Sequence, residues 1–133
     1  MSDRTAPVYC PSDGVLMERI PAAGIEADRC PVCGGVWLDG RELERVLGVP
    51  GAAARLDRGP SDPEGPRGHL IGRKVCPRDR RPLVSIPDPE QPHITTELCM
   101  TCGGVHLDAG ELRDLSELSL RERLRGLVRR IKA

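Results

Sequence analysis

The stretch Cys30-Pro31-Val32-Cys33-Gly34-Gly35-Val36-Trp37-Leu38-Asp39 decides the fold, because the chain writes it twice. The second copy reads Cys99-Met100-Thr101-Cys102-Gly103-Gly104-Val105-His106-Leu107-Asp108. Each copy is preceded by a Cys-Pro-x-Asp string, Cys10-Pro11-Ser12-Asp13 and Cys76-Pro77-Arg78-Asp79, and followed by Glu-Leu, Glu42-Leu43 and Glu111-Leu112. All 6 cysteines of the 133-residue chain fall in these strings, half of them in each copy. A Cys-x-x-Cys turn places two sulfur donors on one side of a tight loop, and two such loops facing each other make a tetrahedron. Three thiolates and one carboxylate per copy therefore predict two zinc ions. One set is Cys10, Asp13, Cys30 and Cys33; the other is Cys76, Asp79, Cys99 and Cys102.

The two donor sets leave some roles open. Asp13 and Asp79 are credible fourth ligands, since carboxylates bind zinc. The alternative is an aspartate that only accepts turn N–H bonds, with water or a histidine on the metal. His106 stands where copy one has Trp37, so packing beside the ribbon is its expected role. His93 could reach in from a hairpin, and His69 reads as a linker residue. A carboxylate in place of one thiolate in both copies argues against a rubredoxin-like iron site. Trp37 is expected to pack the ribbon against the following helix. Asp39 and Asp108 are expected to cap helices rather than act as acids.

Composition agrees with a metal in place of a large core. The chain has no Phe, a single Trp37 and a single Tyr9, with 15 Gly and 13 Pro. Each copy spans about forty residues, a size at which metals or disulfides usually supply the missing stability. Net charge is +0, yet residues 1–66 carry four more acidic than basic side chains and residues 67–133 the reverse. That balance excludes a strongly polyanion-seeking protein and leaves room for a local basic surface. Residues 1–20 lack the pattern of a signal peptide, and no apolar run approaches the ~18 residues of a membrane span. A cytoplasmic location is expected, where thiols stay reduced and bind metal rather than pair.

The organisation follows from the repeat. Residues 8–48 are expected to form the first unit. Short strands run from Gly14 to Ile20 and from Ile25 to Arg29, and a helix begins at Asp39, with Glu42 completing a capping box. Residues 49–72 are a Gly/Pro-rich linker, with Ala52 to Leu56 as a further helical turn. Residues 73–118 repeat the plan, with strands Pro82 to Ile86 and His93 to Leu98 and a longer, Pro-rich hairpin tip between them. Residues 119–133 read as a basic amphipathic helix, with Leu120, Leu124, Leu127, Val128 and Ile131 on one stripe. The predicted class is small, metal-stabilised α+β: two tandem zinc ribbons, each a β-hairpin plus a short capped helix, and a C-terminal amphipathic helix.

The strings around Cys10 to Asp13 and Cys30 to Leu43 resemble the bacterial zinc ribbons of the transcription factor IIB type, a transcription factor zinc-finger domain. That family's pattern is Cys-Pro-x-Cys, a short hairpin, then Cys-Pro-x-Cys-Gly-Gly-x-Trp-Leu-Asp-x-Gly-Glu-Leu. The resemblance covers residues 9–47 and 75–118. Three departures stand out: Asp13 and Asp79 replace the fourth cysteine, Met100 replaces a proline, and His106 replaces the tryptophan. The resemblance implies zinc binding, a ribbon fold and, by analogy, a transcription role.

A non-catalytic binding protein is the function expected, with a protein partner, as an adaptor or transcription-associated regulator. Nucleic acid is the alternative partner, through Arg73, Lys74, Arg78, Arg80 and Arg81 and the basic C-terminal helix. That helix also offers a route to a homo-oligomer; a membrane partner is not expected. A zinc-dependent hydrolase ranks last, since no general base, nucleophile pair or phosphate loop recurs beside the donor sets.

Overall fold

The stretch between the two cysteine pairs of each copy supplies two strands, which pair antiparallel in both copies. The computed structural model describes residues 6–22, 24–59, 74–89 and 94–117. In the first copy β1 (Glu18–Ala22) pairs antiparallel with β2 (Ile25–Arg29), and β3 (Val36–Leu38) adds to β2. Helices α1 (Glu42–Gly48) and α2 (Ala52–Leu56) follow. In the second copy β4 (Val84–Pro87) pairs with β5 (Thr95–Leu98), which pairs with β6 (Val105–Leu107). Helix α3 occupies residues 111–117. Strand β1 runs on through Pro21, which the sequence assigns to the turn. Pro21 is tolerated because β1 is an edge strand and needs its N–H groups on one side only.

The repeats are joined through their shortest strands. β3 and β6 pair antiparallel, Val36 with Leu107, Trp37 with His106 and Leu38 with Val105, giving one six-stranded sheet of order β1-β2-β3-β6-β5-β4. That order reads the same from either end, so the Trp37–His106 pair marks an approximate two-fold axis between the copies.

Alternation along these strands makes two layers. Val36, Leu38, Val105 and Leu107 point to the helical face, where Ala27, Val46, Ala53, Leu56 and Leu112 complete a shared core. Trp37 points to the opposite face, packed with Val8, Met17, Leu83 and the buried Cys10, Cys30, Cys76 and Cys99. Aliphatic side chains from both copies thus supply the core that neither could build alone.

Of the expected linker, residues 49–59 are described, and α2 lies on the sheet with Ala52, Ala53 and Leu56 buried. The rest of that linker and the expected C-terminal helix, residues 119–133, lie outside the described residues, as do His69 and His93.

Candidate metal centres

Four turns built on one backbone plan hold the predicted donors. In each, the cysteine N–H donates to the carbonyl five residues on, and its own carbonyl accepts from the N–H four residues on. The bonds are Cys10–Val15 2.8 Å and Gly14–Cys10 2.9 Å, Cys30–Gly35 2.9 Å and Gly34–Cys30 3.0 Å, Cys76–Arg81 2.8 Å and Arg80–Cys76 2.9 Å, Cys99–Gly104 2.9 Å and Gly103–Cys99 2.9 Å. The fourth residue after the cysteine must be left-handed: φ is 76° at Gly14, 78° at Gly34 and 79° at Gly103. Arg80 takes the same position with φ 63°, the non-glycine exception among the described residues.

The turns bring all eight predicted residues into two groups, Cys10, Asp13, Cys30 and Cys33, and Cys76, Asp79, Cys99 and Cys102. In each group the donor atoms lie within 4.8 Å of one another. Zinc–sulfur bonds of about 2.3 Å at tetrahedral angles put sulfurs ~3.8 Å apart, and a carboxylate oxygen ~3.5 Å from sulfur. The observed separations are 3.6 Å for Cys10–Cys33 and 3.7 Å for Cys76–Cys102. Asp13 Oδ2 lies 3.2 Å from Cys30 Sγ and Asp79 Oδ2 3.3 Å from Cys99 Sγ. The donor sets fit zinc in size and chemistry. His106 belongs to neither group.

Backbone amides prepare the sulfurs for negative charge. Cys10 Sγ accepts from Ser12 N, Cys30 Sγ from Val32 N and Cys33 Sγ from Gly35 N, each at 3.4 Å; Cys76 Sγ and Cys102 Sγ accept likewise from Arg78 N and Gly104 N at 3.4 Å. The aspartates serve the turn and the site together. Asp13 Oδ1 accepts from Val15 N at 3.0 Å and Asp79 Oδ1 from Arg81 N at 3.0 Å, which fixes the second oxygen toward the sulfurs.

Without a metal, Cys10, Cys30, Cys76 and Cys102 resist ionisation. Burial pushes Cys30 up to about 11 and raises Cys76 and Cys102. The bond shared with Cys33, then burial, raises Cys10, and the same bond draws Cys33 down to about 7. Asp13 is held below its ordinary value although burial opposes this, because Val15 N–H and the Cys30 thiol favour the carboxylate; at Asp79 the Arg81 N–H is the main cause. Loading zinc at neutral pH therefore releases protons.

Sequence reading missed how each centre is built against the other copy. Asp39 does not cap α1 with its side chain. Its N–H donates to Glu42 Oε1 at 2.7 Å, while its carboxylate accepts from Trp37 Nε1 at 2.8 Å and from Arg78 of the second copy at 2.7 and 3.0 Å. Asp108, its counterpart, accepts from Lys74 Nζ at 3.1 Å and from Ser12 Oγ of the first copy at 3.4 Å. The cap of α3 comes instead from Asp57, fully buried at the end of α2, which accepts from Gly110 N at 2.8 Å and Arg113 N at 3.0 Å. In both copies the position between Pro and Asp of Cys-Pro-x-Asp faces the other repeat, but it holds Ser12 in one and Arg78 in the other, so the sequence carries no shared signal for it.

Comparison with curated proteins and with solved structures returns no match. Residues 9–48 match the family model described as transcription factor zinc-finger, the TFIIB-type zinc ribbon. The matched segment spans both donor turns of the first copy, and the second copy repeats its turns, hairpin and third strand. Residues 9–48 thus match the transcription factor zinc-finger family, and the described residues of the second copy repeat the same turns and strand pairing around a second donor set.

Proposed function

We propose that this chain is a non-catalytic, zinc-stabilised scaffold whose partner is another protein, acting as an adaptor or a transcription-associated regulator. In this reading all eight grouped residues are direct ligands, and both centres are structural. Four protein donors per centre leave no position on the metal for a substrate. Six unpaired cysteines suit a reducing compartment such as the cytoplasm. Among the described residues no helix is long and apolar enough to cross a membrane.

The observation that carries the choice of partner is the inward use of the basic cluster. Lys74 pairs with Glu97 and Asp108 at 3.3 and 3.1 Å, and Arg78, with 4% of its side chain exposed, pairs with Asp39 at 2.7 Å. Of the basic residues expected to meet phosphates, these two neutralise internal carboxylates instead. The knuckle tips meanwhile present apolar groups, Val32 at 59% and Met100 at 73% exposure, and Tyr9 at 62% bridges to Leu16 at 47%. Such groups suit a protein surface better than a polyanion.

Affinity capture from native lysate, with and without nuclease, tests this. A protein retained after nuclease treatment, and lost when Val32 and Met100 are changed to Ser, is the expected result. A captured species that disappears with nuclease would support the nucleic-acid reading instead.

A further inference from the structure

We infer that the two centres fill with zinc as one cooperative unit, each ion raising the affinity of the other site. The inference rests on the two-centre reading above, and total zinc content tests that reading separately.

Four contacts carry it. The first-turn residue between Pro and Asp crosses to the other copy in both directions: Arg78 reaches Asp39 through Nε at 3.0 Å and Nη2 at 2.7 Å, and Ser12 Oγ reaches Asp108 at 3.4 Å. These residues lie inside the turns that carry Cys76 and Asp79, and Cys10 and Asp13. The second glycine of each Cys-x-x-Cys-Gly-Gly turn also donates to a ligand sulfur and lies against the other copy's ring. Gly104 N bonds Cys102 Sγ, and a Cβ on Gly104 would stand 2.8 Å from Trp37 Cη2; Gly35 N bonds Cys33 Sγ, and a Cβ there would stand 2.8 Å from His106 Nε2. Trp37 and His106 are both 0% exposed, side by side in the seam.

The shared element is the β3–β6 seam with the aliphatic core beneath it. A small ribbon folds with its metal, because binding energy is folding energy. The seam forms only when both copies are folded, so an ion in either site favours the seam and, through it, the other site's turns. This is an element with two states that both sites bias, which is what coupling requires.

Native mass spectrometry of the full chain under reducing conditions, titrated with a zinc chelator, reads the coupling directly. The expected spectrum holds two-zinc and metal-free protein, with little of the one-zinc form. A one-zinc form making up about half the protein at the midpoint, as independent sites of equal affinity require, would overturn the inference, as would stepwise loss of two zinc ions at well-separated chelator concentrations. A Cys76→Ser, Cys99→Ser double variant, read by chelator competition, should bind its remaining zinc about tenfold or more weakly; unchanged affinity also overturns it. Arg78→Met keeps all eight donors and should raise the one-zinc population. If it does not, the coupling through Arg78 is wrong.

Discussion

Arg78 and Asp39 belong to different repeats and meet in a two-point ion pair, Nε to Oδ1 at 3.0 Å and Nη2 to Oδ2 at 2.7 Å, with 4% and 8% of their side chains exposed. Arg78 Nη2 also lies 3.9 Å from Asp28 Oδ2, a carboxyl that is 1% exposed. One guanidinium thus pairs closely with Asp39 and lies at the edge of ion-pair distance from Asp28, which Arg19 also approaches at 3.8 Å. Arg78→Met should cost about 3–5 kcal/mol in zinc-loaded protein, the scale seen when one partner of a buried pair is removed. Urea denaturation measures it. Arg78→Met combined with Asp39→Asn should cost less than the sum of the single changes, and strict additivity would show that the pair contributes nothing jointly.

Arg80 holds φ 63° in a turn position that its three counterparts give to glycine. An L-residue in that region costs about 1–2 kcal/mol, and glycine returns part of the gain as chain entropy. Arg80→Gly should therefore stabilise the protein by up to about 1 kcal/mol, seen as a rise in melting temperature. A fall would mean that the Arg80 side chain makes a contact worth more than the strain.

Gly104 lacks space for any side chain because Trp37 of the other copy lies across it. Gly104→Ala should cost about 1–3 kcal/mol by overpacking. Trp37→Leu is itself destabilising, yet it should make the alanine at 104 nearly neutral. A full additional penalty in the double variant would place the cost in the turn backbone instead.

These residues show how far the sequence can be read. The donor sets, hairpins and helices were legible because zinc geometry imposes short, fixed spacings on neighbouring residues. The β3–β6 seam was not, because three-residue strands carry almost no periodic signal and pairing across about seventy residues leaves none. Asp39 looked like a helix cap because its spacing to Glu42 fits a capping box. Half of that box exists, since Glu42 accepts the Asp39 N–H. The other half yields to a stronger, charged partner that only the tertiary structure supplies. Within each double glycine, Gly34 and Gly103 serve the turn by their positive φ, whereas Gly35 and Gly104 make room for a ring from the opposite repeat.

Glu111 supplies a pH prediction. Burial, reinforced by the charge of Asp108, pushes its carboxyl up to about 7 from an ordinary value of 4.5. A folded-state value above the unfolded one contributes stability below pH ~4.5 that is lost as pH rises through about 7. Glu111→Gln keeps an acceptor for the Asp108 N–H and removes the titration. The variant should gain on the parent as pH rises from 5.5 to 8 with zinc in excess, by about 1–2 kcal/mol after allowing for solvent screening. Parallel stability curves would show that Glu111 ionises freely.

Asp13 separates ligand from turn residue in a single substitution. Its Oδ1 accepts the Val15 N–H at 3.0 Å while Oδ2 faces Cys30 Sγ at 3.2 Å. Asn keeps an oxygen for the turn and loses the anionic donor; Cys restores a soft anion and is the residue the family pattern carries there. If the carboxylate ligates, Asp13→Asn should weaken zinc binding at least about tenfold, while Asp13→Cys binds as tightly as the parent or tighter. The same order should hold for Asp79, whose Oδ1 accepts from Arg81 N at 3.0 Å. Competition against a calibrated chelator gives the affinities. Equal affinity for Asp and Asn at both positions would make the aspartates turn residues and leave each zinc with three protein ligands.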